Sequence, residues 1–329
     1  MRRREFIAVL GGGAAWPVTA RAQKSGALKR VGVLMGYAED DSEAQAYFAA
    51  FREGLQKLGW TEGRNLRIDT RWAALKVEAM QRFASEFVAL EPDIVLSQIT
   101  PTTAALLRQT RTIPIVFAMV ADPVGSGFVT SFPRPGGNVT GFVTSDGSLG
   151  GKWLELLKEV VPRINHVAIL FNPVAATFAD YYLNPFKVAA ASLAIEAISA
   201  PVRDISELAI AVAAQARQPN GGLVVIPDSF TDPHRAEITA LAAQHRVPAV
   251  YPYRFYAELG GLLSYGVDLT DNFRRAATYV DQILKGTKPS ELPVQAPVKF
   301  ELVINLETAK TLGLDVPLQL QQRADTVIE

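Results

Sequence analysis

The chain has 329 residues, 49% of them hydrophobic, and its 33 basic and 33 acidic residues balance to a formal net charge of zero. That length suggests two domains, and a surface with no basic excess argues against nucleic acid as a partner. There is no cysteine, which excludes structural disulfides, thiolate metal sites and cysteine nucleophiles, and no lipid anchor on an N-terminal cysteine is expected.

The first 22 residues read as an export signal. Arg3-Arg4-Glu5-Phe6-Ile7 sets two adjacent arginines before an apolar pair, in the manner of a twin-arginine leader. A mildly apolar run from Phe6 to Trp16, loosened by Gly11, Gly12 and Gly13, is too short to span a bilayer. Pro17 and the small-residue site Ala20-Arg21-Ala22 predict cleavage after Ala22, with Gln23 as the new N-terminus. A glycine-rich phosphate loop would need a helix after Gly13, and Pro17 opposes it. Removing Arg2, Arg3, Arg4 and Arg21 against Glu5 leaves 29 basic and 32 acidic residues, a formal charge of −3, over a mature chain of about 307 residues. Such a product is expected to be free in the periplasm.

The mature sequence then alternates short apolar runs with helical patterns, the signature of parallel α/β units. Residues 30–35 predict a buried strand. Phe48, Phe51, Leu55 and Leu58 recur at helical spacing, and Gly59 closes that helix. Leu66, Ile68, Thr70 and Trp72 alternate with charged residues, as in a strand with one wet face. Met80, Phe83, Phe87 and Leu90 mark a helix, and 93–96 a strand. Thr100-Pro101 opens the next helix, with Thr100 as cap; 114–119 is a strand. From Asp122 to Gly141 there are five glycines and three prolines and no helical period, which predicts a long crossing between lobes.

The alternation restarts beyond that point. Helices are expected at 152–161, at 181–193 with a disturbance at Pro185, at 206–217, and from a cap at Asp232-Pro233 to about His245. Strands are expected at 166–171, 195–200, 222–226 and 248–251. After Gly260-Gly261 come a strand at 262–265 and a helix through Phe273, Ala277, Val280 and Leu284. A proline-rich crossing covers 288–297, followed by a strand at 300–304, a short helix at 305–312 and a final helix at 318–328.

In open parallel sheets ligands gather at the carboxyl ends of strands, where helix N-termini present free N–H groups. The strand ends here are Tyr37, the run Ser97, Gln98, Thr100, Thr102 and Thr103, the stretch Met119–Asp122, Asn172, Asp228 with Ser229, and Tyr265. They are rich in hydroxyls and amides and poor in paired catalytic groups. The Ser97–Thr103 run suits a carboxylate, set against plain helix capping. Asp228 suits a ligand amine, set against an N-cap or turn role. Tyr251, Tyr253, Tyr256 and Tyr265 suit an aromatic wall or core. His166, His234 and His245 are scattered, so neither a metal site nor a catalytic triad is expected, nor any cofactor.

Several segments, in order, resemble one family: residues 117–124 (FAMVADPV), 134–141 (RPGGNVTG), 260–266 (GGLLSYG), and the tail 297–306 with Ala309-Lys310 and Leu312-Gly313-Leu314. The chain is similar throughout its mature length to solute-binding proteins of ABC transporters of the tryptophan/tyrosine-binding TrpX type. That resemblance implies an α/β type I periplasmic binding fold: two Rossmann-like lobes with parallel sheets, joined by three crossings. One lobe is expected at 23–142 plus about 260–296, the other at 143–259 plus about 297–329. It implies no catalysis, an amino-acid ligand carrying a carboxylate, often aromatic, hinge closure, membrane permease subunits as partners, and a monomer. The alternatives are a ligand-sensing receptor for a membrane signalling protein, or an exported α/β enzyme, for which no converging nucleophile and base are in evidence.

Overall fold

The computed structural model describes residues 28–144 and 147–329, so the export signal and its cleavage site lie outside the described residues. The chain alternates as its periodicities require. The first half runs β1 (Lys29–Met35), α1 (Ser42–Lys57), β2 (Leu66–Trp72), α2 (Val77–Leu90), β3 (Ile94–Ile99), α3 (Thr100–Gln109), β4 (Ile115–Val120) and β5 (Val139–Val143). The strands form a wholly parallel sheet in the order β2-β1-β3-β4-β5. β3, β4 and β5 are buried on both faces, which explains why they read as unbroken apolar runs.

The segment 122–141 is therefore not a crossing. It loops within this lobe and returns as the fifth strand, pairing Val139 with Ile115. Glycine is needed at Gly141, where φ is +154° and a Cβ would collide with the Phe117 carbonyl of the neighbouring strand. The crossing itself follows Val143.

The second half contains α4 (Leu149–Val160), β6 (His166–Phe171), α5 (Asp180–Ser192), β7 (Glu196–Pro201), α6 (Ile205–Ala216), β8 (Gly221–Val225), α7 (Arg235–Gln244), β9 (Ala249–Tyr251), α8 (Arg254–Glu258) and β10 (Leu263–Val267). After it come α9 (Leu269–Leu284), a 3₁₀ turn at Pro289–Glu291, β11 (Phe300–Asn305), α10 (Leu306–Leu312), α11 (Leu318–Arg323) and β12 (Thr326–Ile328). The second sheet has the order β12-β11-β10-β9-β8-β6-β7, parallel except where β10 meets β11. The tail expected as one helix over 318–328 is thus a short helix and an edge strand: Asp325 bonds Leu302, and β12 pairs with β11.

The placing of 260–296 in the first lobe needs dividing. Leu263–Val267 pairs with β9 and β11 and belongs to the second sheet. The chain returns to the first lobe only at α9, whose apolar stripe of Leu269, Phe273, Ala277 and Val280 is buried there. α9 lies along α1, where Gly54 brings the backbones together: a Cβ on it would sit 2.8 Å from that of Ala277. The buried Asn272 amide donates to the carbonyls of Ala118 and Val143, at 3.2 and 3.0 Å, fastening α9 to the ends of β4 and β5. The second and third crossings run together at Asp268 and Lys299, which bond backbone to backbone at 3.1 Å and side chain to side chain at 2.7 Å.

Candidate functional site

Each sheet reverses its winding at one point. In the first this lies between β1 and β3, in the second between β6 and β8. Loops diverge there and leave a crevice beyond the strand ends. The two crevices face one another, and together they form a cleft lined by both lobes. Tyr37, Ile99, Thr100, Pro101, Met119 and Ala121 come from the first lobe. Thr144 comes from the first crossing, and Ala175, Phe178, Pro227, Asp228, Ser229, Asp232 and Tyr253 from the second lobe. The empty space between these residues, counted out to open solvent, is about 370 Å³.

The lobes touch across this cleft. The Tyr37 hydroxyl donates to Asp232 Oδ2 at 3.0 Å, and the Tyr256 hydroxyl donates to Asp232 Oδ1 at 3.2 Å. Nearby, Asp41 caps α1 with one carboxylate oxygen and takes Arg235 of the other lobe on its second, at 3.0 Å. Arg235 also lies over the Phe255 ring, 5.2 Å from its centre. Tyr253 hydrogen-bonds Thr144.

Burial first, and then the neighbouring Asp228 charge, push Asp232 well above the usual carboxylate range. Burial likewise raises Asp228, opposed by the N–H groups of Asn172, Thr231 and Phe230. Burial and the Asp232 carboxylate raise the Tyr37 phenol, which stays a neutral donor.

Of the residues singled out by position at strand ends, the structure brings Tyr37, Thr100 and Asp228 to the cleft. Met119, Ser229 and Tyr253 join them. Others are placed elsewhere. Ser97, Thr102 and Thr103 are fully buried inside the first lobe, their hydroxyls bonded to one another and to the Ile99 backbone. Thr102 rather than Thr100 thus acts in capping: its oxygen accepts the Ile99 N–H at 3.0 Å. Gln98 is buried too. Its carbonyl oxygen accepts from Gly36 N and Tyr37 N at 2.7 and 3.1 Å, so it shapes the loop that presents Tyr37.

Asn172 closes the turn after β6, accepting from Val174 N and Ala175 N and donating to the Arg203 carbonyl. Tyr265 stacks on Phe300 in a separate surface groove between α4 and α5; β10 joins the second sheet and turns this ring away from the cleft. Tyr251 and Tyr256 stack on one another in the core, ring centres 4.9 Å apart. The residue that the sequence reading missed is Asp232. Asp-Pro ahead of a helix reads as a cap, yet α7 starts at Arg235 and the Asp232 carboxylate turns to Tyr37 and Tyr256. Phe178, Ala175 and Thr144 carried no chemical signal in sequence.

Two parallel α/β lobes with three passages between them and a shared cleft at facing switch points define a type I periplasmic binding protein. The chain belongs to the ABC transporter substrate binding protein family, which it matches over residues 31–328; it is a solute-binding protein, not an enzyme. It is similar to a tyrosine-binding protein of Clostridioides difficile (strain R20291), 26% identical over 264 residues, which is 80% of this chain and 75% of that one. Its fold also resembles the crystal structure of a conserved domain protein from Vibrio cholerae O1 biovar El Tor, with TM-score 0.84 and 29% identity, covering 92% of this chain and 100% of that one. A third likeness is the ABC domain from Streptococcus pneumonia in complex with L-Trp, with TM-score 0.84, 23% identity and coverage of 92% and 100%. The ligand-free, open structure of a Clostridium difficile substrate binding protein with adhesive properties follows at TM-score 0.71, 22% identity and coverage of 92% and 99%. Among the described residues no helix is long and apolar enough to cross a membrane.

Proposed function

We propose that this chain is the extracytoplasmic receptor of an ABC importer. It captures an amino acid, aromatic in its side chain, between the lobes, closes on it as a monomer, and presents the closed form to membrane permease subunits. The observation that carries this reading is the composition of the cleft: polar groups from both lobes, together with the apolar side chains of Ile99, Met119, Phe178 and Pro227 as its wall. Relatives described as tyrosine-binding and as holding L-Trp agree with a planar apolar side chain against that wall.

Thr100 and the first turn of α3 face the cleft, where unpaired N–H groups and the helix dipole favour a ligand carboxylate. On this reading the anion contact is the half-buried start of α3 rather than the buried hydroxyls behind it. The bonds joining Tyr37 to Asp232 and Asp41 to Arg235 span the two lobes, so they form only when the lobes meet. A ligand bridging the cleft would favour that state by its differential affinity for it. The shape is closer to the L-Trp complex than to the open relative at nearly equal identity, consistent with a closed arrangement. Export through the leader at 1–22 would deliver the receptor to the periplasm.

The test is native mass spectrometry of protein purified from the periplasm without denaturation. The reading expects a bound species with the mass of an amino acid, lost on unfolding and restored by L-tyrosine or L-tryptophan. A bound sugar or nucleoside, with neither amino acid able to displace it, would overturn the ligand class.

A further inference from the structure

Among the described residues, the cleft is lined by two carboxylates, Asp228 and Asp232, each only 4% exposed, and by no Lys, Arg or His. Arg235, whose charge reaches Asp232, is bonded to Asp41. A buried charge without a partner is costly, and a carboxylate offers about four acceptor positions. Asp228 accepts three backbone N–H groups, from Asn172, Phe230 and Thr231, at 2.9, 2.7 and 2.7 Å. It is built into the turn after β8, where the Thr231 hydroxyl also favours its charged form. Asp232 accepts two phenol hydroxyls and keeps two positions open.

We infer that Asp228 and Asp232 together receive the ligand's ammonium group, with Asp232 the residue that separates ammonium-bearing ligands from acids of the same shape. The inference rests on reading this cleft as the ligand site, and it adds the ligand's required charge. The two residues divide the work. Asp228 is held by fixed backbone donors, so it sets position. Asp232 is held by Tyr37 across the cleft and by Tyr256 within its own lobe, so a cation bound at Asp232 sits on the contact that joins the lobes.

The groups facing Asp232 are Tyr37 from the loop after β1, Tyr47 from α1, Asp228 from the loop after β8, Arg235 from α7, and Tyr253 and Tyr256 at and within α8. The phenols are neutral donors, and Arg235 is shared with Asp41. With no cation present, burial raises both carboxyls and the Asp228 charge raises Asp232 further, so the pair holds a proton more readily than exposed carboxylates do. An incoming ammonium replaces that proton, which leaves to solvent. Affinity for an ammonium ligand then rises with pH, by up to about tenfold per unit while one proton is released.

The experiment is calorimetry on the ligand-stripped full chain with L-tryptophan, tryptamine and 3-indolepropionate, each in two buffers of different ionisation enthalpy. L-Tryptophan and tryptamine should bind with net proton release, and 3-indolepropionate should bind far more weakly without it. Asp232→Asn should remain folded, weaken both ammonium ligands about ten- to hundredfold, abolish the proton release, and leave 3-indolepropionate within about twofold. The pH slope of wild-type affinity, followed upward from the ordinary carboxylate range, counts the same proton with no variant at all. Tryptamine binding with proton release while L-tryptophan fails would support the subsite and sink the amino-acid reading. Binding of 3-indolepropionate as tight as that of L-tryptophan, or proton release unchanged in Asp232→Asn, would overturn the subsite and leave the receptor reading standing.

Discussion

Thr102→Val separates a folding role from a binding role at the start of α3. The substitution keeps the side chain's shape and removes one hydroxyl. That hydroxyl donates to the Ile99 carbonyl at 2.7 Å, accepts the Ile99 N–H at 3.0 Å and lies 2.8 Å from Ser97 Oγ, in a fully buried position. Thr103 still reaches the Ile99 carbonyl at 3.1 Å, so that acceptor keeps a partner. The Ile99 N–H loses its acceptor, and Ser97 loses one of its two hydroxyl partners. A buried donor left unpaired costs about 1–3 kcal/mol, and the lost Ser97 contact adds roughly 0.5–1.5 kcal/mol, so the expected destabilisation is about 1.5–4.5 kcal/mol. Urea denaturation followed by circular dichroism would show it as a lowered midpoint at unchanged slope. Affinity, measured on the folded variant, should change by less than about threefold, because the hydroxyl does not reach the cleft. Unchanged stability with a tenfold loss of affinity would refute the reasoning and return Thr102 to the ligand.

Three further outcomes are expected. Tyr37→Phe removes the 3.0 Å bond from the first lobe to Asp232 and should weaken ligand binding by about three- to tenfold, mainly through faster dissociation in stopped-flow measurements. Asp268→Asn cuts the 2.7 Å link to Lys299 where two crossings meet and should lower the melting temperature at pH 7. Burial works to raise the Asp268 carboxyl, but the Lys299 contact, the Asp271 N–H and nearby positive charge hold it below its ordinary value. A carboxylate lowered on folding stabilises above its unfolded pKa and loses that contribution as pH falls through the folded one. The difference between wild type and Asp268→Asn should therefore vanish in acid below the ordinary aspartate range, which melting curves across pH would show. Replacing Arg3 and Arg4 by lysine should leave uncleaved precursor in the cytoplasm, and normal periplasmic yield in a strain without twin-arginine translocase would point to the general secretory route.

Much of the architecture was legible because period and burial are local properties. The strands read at 93–96 and 114–119 are found at 94–99 and 115–120, covered on both faces, and α9 shows its stripe plainly. Partnership is not local. Nothing in Leu263–Val267 records that it lies beside Val250 and Ile304, so its lobe could not be read. The same limit applies to the site. Position at a strand end located Tyr37, Thr100 and Asp228, since that rule depends only on winding. It could not tell a hydroxyl facing the cleft from one facing the core, which is the difference between Thr100 and Thr102. Asp232 was hidden for a related reason: its partner Tyr37 is 195 residues away in the chain, while the local Asp-Pro pattern suggested a cap.

The central claim is that the lobes close on an amino acid. The chain has no native cysteine, so Val124→Cys and Val174→Cys, at exposed positions on opposite lobes, would give two unique sites for spin labels. Pulsed electron–electron resonance on ligand-stripped protein should give a longer inter-label distance that shortens when L-tyrosine or L-tryptophan is added. Identical distance distributions at saturating concentrations of both amino acids would contradict it.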